Sequence, residues 1–315
     1  SDATKGWLPL EDDVTALEPV APPTQKAIFG YGYNASGGGR LSMSNLVNSS
    51  GVVAADVTGV GTARMTIAAT SYGGDKAIFG YGDSGSATNL SNLVSSSGVI
   101  ASDTTGVGTA RYAPAAASYD GDKGIFGYGD TGGDSYVSLT NLVNNFGVIA
   151  TDTTGVGTAR RYLAATGYGS SGQAVFAYGS TGSRLSMKNL VSNSGVVASD
   201  ATGVGSARNN LAAVKYGTDK AIFGYGSTGS ITGVTNLVSN VGVIASDVSG
   251  VGTARQYLAA ASYGGDKALF GYGNTASGAV SMTNLVSNIG VVGADVTGVG
   301  SARETLGAAG YSTSA

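Results

Sequence analysis

The 315-residue chain contains no cysteine and no histidine. Without cysteine there is no disulfide framework and no thiolate chemistry, and the redox compartment stays open. Without histidine the commonest general base, the usual zinc ligand and the Ser-His-Asp triad are all excluded. Charge is also scarce, at 12% Asp, Glu, Lys and Arg. No run of 18 apolar residues is present to read as a membrane-spanning helix. Mean hydropathy is nonetheless slightly positive, +0.12, which is more apolar than a disordered chain and enough to form a core.

Proline is rare, and four of the five prolines fall in residues 1–25, together with the single tryptophan. That segment carries Asp2, Glu11, Asp12, Asp13 and Glu18 against Lys5. Its charge is therefore −4 where the whole chain is −3, so residues 26–315 carry +1. A nearly neutral body offers no basic stripe for nucleic acid. The arm, 1–25, reads as an acidic, proline-rich linker or docking strand, with Trp7, Leu8 and Leu10 as its apolar patch.

What the chain has in excess is glycine, 53 residues, and repetition. "GVGTAR" or "GVGSAR" occurs six times, ending at Arg64, Arg111, Arg160, Arg208, Arg255 and Arg303. "KAIFGYG" or a close variant begins at Lys26, Lys76, Lys123, Gln173, Lys220 and Lys267, with spacings of 50, 47, 50, 47 and 47 residues. "NLV" begins at Asn45, Asn92, Asn141, Asn189, Asn236 and Asn284. A period near 48 marks a repeat architecture, and one of about 50 is typical of propeller blades.

Each unit reads as four short strands rich in Val, Ile, Leu, Phe and Tyr. In one copy these are 256–263, 267–273, 283–287 and 291–295, the first two joined by the turn "GGD". The first strand is mostly alanine, which suits strands crowded around a channel. The second carries Ile28, Phe29 and Tyr31 on both faces, as expected for a sheet covered on both sides. The repeat begins in mid-unit, at a second strand, and ends at "RETLGAAGYSTSA", a first strand. One blade is thus expected to be built from both termini, closing a ring and hiding its edges. The expected fold is all-β: a six-bladed β-propeller over residues 26–315, four antiparallel strands per blade.

The order arginine, small apolar strand, turn "YGGDK", strand "IFGYG", variable loop and further hairpin resembles kelch repeats. Kelch blades carry a double glycine after the second strand and a tryptophan in the fourth; here the glycines are split as "GYG" and valine or isoleucine replaces the tryptophan. The near-identical copies, with "NLVSNSGVVASD" and "GVGTAR", also resemble repeats of tail and virion proteins of tailed bacteriophages. That second resemblance implies a virion location, with other virion proteins or a host-surface glycan or protein as partner. A secreted or cell-surface lectin-like propeller is the alternative.

An aspartate stands eight residues before each arginine: Asp56/Arg64, Asp103/Arg111, Asp152/Arg160, Asp200/Arg208, Asp247/Arg255 and Asp295/Arg303. These pairs admit an anion-binding ring or, since they recur equally in every unit, a structural tether between blades. "GYGDSG" (80–85), "GYGDTG" (127–132) and "GYGSTG" (224–229) satisfy G-x-G-x-x-G, but the dinucleotide motif needs a following helix, and turn glycines explain the string. "DTGGDS" (130–135) is the nearest approach to a calcium loop, and a solvated loop explains it equally. Asp134 and Glu304 form no recognisable glycosidase pair. No cofactor, metal or enzymatic activity is expected.

Variation is confined to two places: the loop between second and third strands, and the two residues after each arginine. In a propeller both emerge on one rim. The richest variable cluster is Tyr136 with Tyr112, Arg161 and Tyr162, and Tyr257 stands at an equivalent position. Aromatics and arginine dominate interfaces. Relaxed constraint on exposed loops is the competing reading.

Overall fold

A computed structural model describes residues 25–312, and Trp7, Leu8 and Leu10 lie outside the described residues. No helix occurs among the described residues; the chain is a series of short strands. In chain order these are β1 (Lys26–Asn34), β2 (Gly39–Val47), β3 (Ala68–Tyr72), β4 (Lys76–Gly80), β5 (Ser91–Val94), β6 (Ala115–Tyr119), β7 (Lys123–Gly127), β8 (Thr140–Val143), β9 (Ala164–Tyr168), β10 (Gln173–Ala177), β11 (Lys188–Val191), β12 (Ala212–Tyr216), β13 (Lys220–Gly224), β14 (Thr235–Val238), β15 (Ala259–Tyr263), β16 (Lys267–Gly271), β17 (Asn274–Thr275), β18 (Gly278–Ala279), β19 (Thr283–Val286), β20 (Val292–Val296) and β21 (Gly307–Tyr311).

They form antiparallel sheets: β21-β1-β2, β3-β4-β5, β6-β7-β8, β9-β10-β11, β12-β13-β14 and β15-β16-β19-β20, besides the small β17-β18 ribbon. We number the six larger sheets one to six in that order. The last strand pairs with the first, Lys26 opposite Tyr311 and Gly30 opposite Gly307. The fold is β-propeller-like.

Among the described residues, only sheet six has a continuous fourth strand. Elsewhere the expected fourth strand is reduced to two isolated bridges, for example Val47 with Val53 and Ser44 with Val57. The "NLV" asparagine ties this segment to the third strand in all six sheets: Asn45 Nδ2 donates to Ala54 O at 3.0 Å, and Asn92, Asn141, Asn189, Asn236 and Asn284 repeat the bond, the last on the sheet whose fourth strand is continuous. At the "GYG" segment Tyr31, Tyr81, Tyr128, Tyr178, Tyr225 and Tyr272 all adopt left-handed backbone, φ 62–65°; β4, β7, β10, β13 and β16 stop two residues short of its end, while β1 runs on to Asn34 across a register shift between Gly30 and Gly32.

Those six tyrosines are buried and hold neighbouring sheets together. Each meets a phenylalanine of the next sheet at 5.0–5.3 Å between ring centroids: Tyr31–Phe79, Tyr81–Phe126, Tyr128–Phe176, Tyr178–Phe223, Tyr225–Phe270 and Tyr272–Phe29. The last pair joins sheet six to sheet one. The Phe79 ring lies so close over Gly30 that a Cβ there would meet it at 2.7 Å, which is why the second strand ends in glycine in most copies.

Candidate functional site

The repeated arginines are interior parts. All six are 0% exposed. Each guanidinium lies over the "GYG" tyrosine of the preceding sheet, 4.0–4.8 Å from the ring centroid. Five of them, Arg64 to Arg255, also donate to the "NLV" asparagine of the following sheet, as Arg160 does to Asn189 Oδ1 at 2.8 Å. Burial pulls Arg111, Arg160, Arg208, Arg255 and Arg303 below the usual arginine range, partly offset by the adjacent tyrosine and aspartate.

The expected partner assignment needs correction. Each arginine faces the aspartate of the next unit rather than the one eight residues before it. Arg111 Nη1 is 4.0 Å from Asp152, Arg208 is 3.7 Å from Asp247, and Arg255 is 3.7 Å from Asp295. Asp103 likewise belongs with Arg64, Asp200 with Arg160, and Asp56 with Arg303. The aspartate grips the "GVGTAR" loop by its backbone: Asp152 accepts Thr109 N–H at 3.0 Å and Thr109 Oγ1–H at 2.6 Å. Asp56 holds Ser301 in the same way. A reach of eight residues within one loop could not do this, because those residues carry the chain from one sheet to the next. Burial raises these carboxyls, but hydrogen bonds from Thr or Ser and from the asparagine outweigh it, and all six sit below the ordinary value of 3.8.

The residues after each arginine build a collar. Thr66, Ala113, Tyr162, Asn210, Tyr257 and Thr305 all have φ between 48° and 57°. Their backbones form a closed cycle: Thr66 N–H donates to Thr305 O, Ala113 to Thr66, Tyr162 to Ala113, Asn210 to Tyr162, Tyr257 to Asn210 and Thr305 to Tyr257, at 2.8–3.2 Å. Inside lies a cavity of about 70 Å³ whose lining includes Tyr162, Tyr257, Leu163, Leu211 and Leu258. Below it the inner strands β21, β3, β6, β9, β12 and β15 contact one another in that order and back to β21.

The variable residues converge beside this collar. Arg161 Nη1 donates to Asp130 Oδ2 at 2.7 Å and to Tyr112 Oη at 3.3 Å, and Nη2 pairs with Asp134 Oδ1 at 2.8 Å. Tyr112 Oη–H donates to Asp130 Oδ2 at 3.0 Å, and Tyr136 Oη–H to Asp134 at 3.1 Å. The guanidinium lies 5.1 Å from the Tyr136 ring and 5.0 Å from the Tyr162 ring, and Tyr162 packs edge-on against Tyr257 at 5.9 Å. Tyr112, Tyr136, Arg161, Tyr162 and Tyr257 thus form one connected group. Burial first, then Tyr257, pushes Tyr162 up to about 12. Burial and then the bond to Asp130 raise Tyr112.

Asp130 and Asp134 are the members that sequence reading left out of this cluster. Asp130 is 0% exposed while Asp134 is 69% exposed. The available signal was aspartate directly after "GYG", which occurs only at Asp83 and Asp130 where other copies have Ser, Asn or Tyr. In the "DTGGDS" loop both carboxylates are taken by one guanidinium. Among the described residues no group of three or more Asp or Glu is placed to share a metal.

No family model and no curated protein matches the chain. A solved structure described as "Structure of YjhT" is similar in fold, with a TM-score of 0.63 over 85% of this chain and 95% of that chain, at 12% identity.

Proposed function

We propose that the chain is a six-bladed, kelch-like propeller closed by its two termini, acting as a non-enzymatic binding module. Closure is supported by the β1–β21 pairing and by the collar's unbroken hydrogen-bond cycle. Its place is in a phage tail or virion, where it meets a host surface or another virion protein; the repeat resemblance supports this location.

The observation that carries the binding reading is the Arg161 cluster. The six frameworks offer equivalent surfaces, so a partner that engages one place must read residues that differ between units. The differing residues richest in aromatic and charged groups stand together on one face, around a guanidinium with side-chain exposure of 23%. The test is binding of the protein to host cells and to a glycan array, with Tyr136→Ala and Arg161→Ala beside the unaltered chain. Loss of cell binding by the folded protein is expected for both, with Tyr136→Ala melting close to the unaltered chain and Arg161→Ala below it, because the buried Asp130 then loses its counter-ion. Array binding abolished by Tyr136→Ala would favour the lectin reading. Cell binding by both variants equal to that of the unaltered protein removes the rim from consideration.

A further inference from the structure

The opposite end of the inner strands departs from the repeat in one sheet. The fourth residues of these strands are Ser71, Ser118, Gly167, Lys215, Ser262 and Gly310. Serine or glycine fits a crowded ring; lysine at Lys215 is the exception. The neighbouring fourth-sheet hairpin is exceptional too. Where sheets two, three, five and six have an aspartate followed by lysine, it reads "GSSG" and then Gln173. Gly167 and this turn leave a cavity of about 250 Å³ lined by Lys215, Gln173, Ser118, Ser170 and Ser171. Lys215 also lines an adjoining cavity of about 290 Å³.

Lys215 is half-buried, and among the described residues its ammonium makes no hydrogen bond or ion pair. The carboxylates around the mouth are matched elsewhere: Asp75 with Lys76, Asp120 and Asp122 with Lys123, Asp219 with Lys220 and Asp266 with Lys267. Burial lowers the Lys215 pKa, and the charge of Asp219 only partly offsets it. Gln173 lines the same cavity; its Oε1 is buried without a partner, and its amide nitrogen carries two N–H donors. An unpaired ammonium in a partly desolvated pocket is costly unless something negative joins it.

We propose that this pocket binds a small oxyanion, a carboxylate or phosphate group, held by the Lys215 ammonium and the Gln173 amide. The site lies at the far end of the inner strands from the Arg161 cluster and is independent of what that cluster binds.

The experiment follows the Lys215 side-chain NMR signals of the full chain during titration with inorganic phosphate and with acetate, against sodium chloride at equal ionic strength. A saturable shift with phosphate or acetate but not chloride is expected. Lys215→Ser, which restores the residue of three other sheets, should abolish saturable binding while melting at the same temperature or higher. Gln173→Ala should weaken it about tenfold. A linear response identical to that of chloride overturns the proposal, as does saturable binding unchanged in Lys215→Ser. Should Lys215→Ser fail to fold, the wild-type titration decides alone.

Discussion

The buried arginines and Arg161 are built from the same chemistry and sit in opposite settings. Arg160 has an aromatic ring beneath it and hydrogen bonds to Tyr178 O, Thr158 O and Asn189, with no face left toward solvent. Arg161, the next residue, also touches aromatic rings and acceptors, but its partners come from variable positions and its side chain reaches solvent. The stacking on tyrosine recurs in all six units and the bond to asparagine in five of them, whereas the second arrangement occurs once among the described residues. Where a repeat must hold itself together, its fixings are copied. Where one surface must differ from five others, the difference falls on residues the fixings do not use.

The sharpest way to break this comparison is to remove the last strand. Deleting residues 304–315 removes β21 and with it the pairing to β1 and the Thr305 link of the collar. The exposed edge of β1 is expected to cause loss of cooperative melting and aggregation, read by calorimetry and size-exclusion chromatography. A truncated protein that melts and elutes like the full chain would remove closure as a source of stability.

Arg160→Ala comes next. It strands the Asn189 oxygen and two carbonyls in the interior, and the expected loss is about 3 kcal/mol in denaturant unfolding. Partner binding should survive in the folded fraction. Lost binding with unchanged stability would reverse the roles assigned to Arg160 and Arg161.

Asp152→Asn is expected to cost about 1 kcal/mol at neutral pH, since the amide is a poorer acceptor for Thr109 and loses the attraction of Arg111. The sign with pH follows from the lowered carboxyl. Its contribution is complete above the ordinary value of 3.8 and disappears as pH falls through the lower folded value. The gap between wild type and variant should therefore close below that pH, and a gap that widens in acid would contradict the assignment.

Tyr136→Ala should be the mildest for stability. It removes a ring 5.1 Å from the Arg161 guanidinium and one bond to an exposed aspartate, so the melting temperature should barely move. A larger drop in melting would make Tyr136 a fixing rather than a contact residue.

Much was legible in the chain alone because repetition amplifies weak signals. Six copies of "KAIFGYG", "NLV" and "GVGTAR", with apolar strands between glycine turns, determine small sheets built to one plan and covered on both faces. The mid-unit start and end determine that the two ends of the repeat complement each other. The variable pair after each arginine and the loop after each second strand stand out as the positions that differ between units, and Tyr112, Tyr136, Arg161, Tyr162 and Tyr257 are in contact with one another through Arg161 and Tyr162. What only the tertiary structure decided is partnership across units. Asp152 belongs to Arg111 and not to Arg160, Asn45 and its equivalents bond to the segment nine residues on, Asp130 and Asp134 clamp Arg161, and among the described residues Lys215 has no counter-ion. A repeated sequence states which residues recur but not with which copy each one pairs. That choice depends on the path the chain takes between sheets and on how closely neighbouring sheets approach, and both are set by packing rather than by distance along the chain.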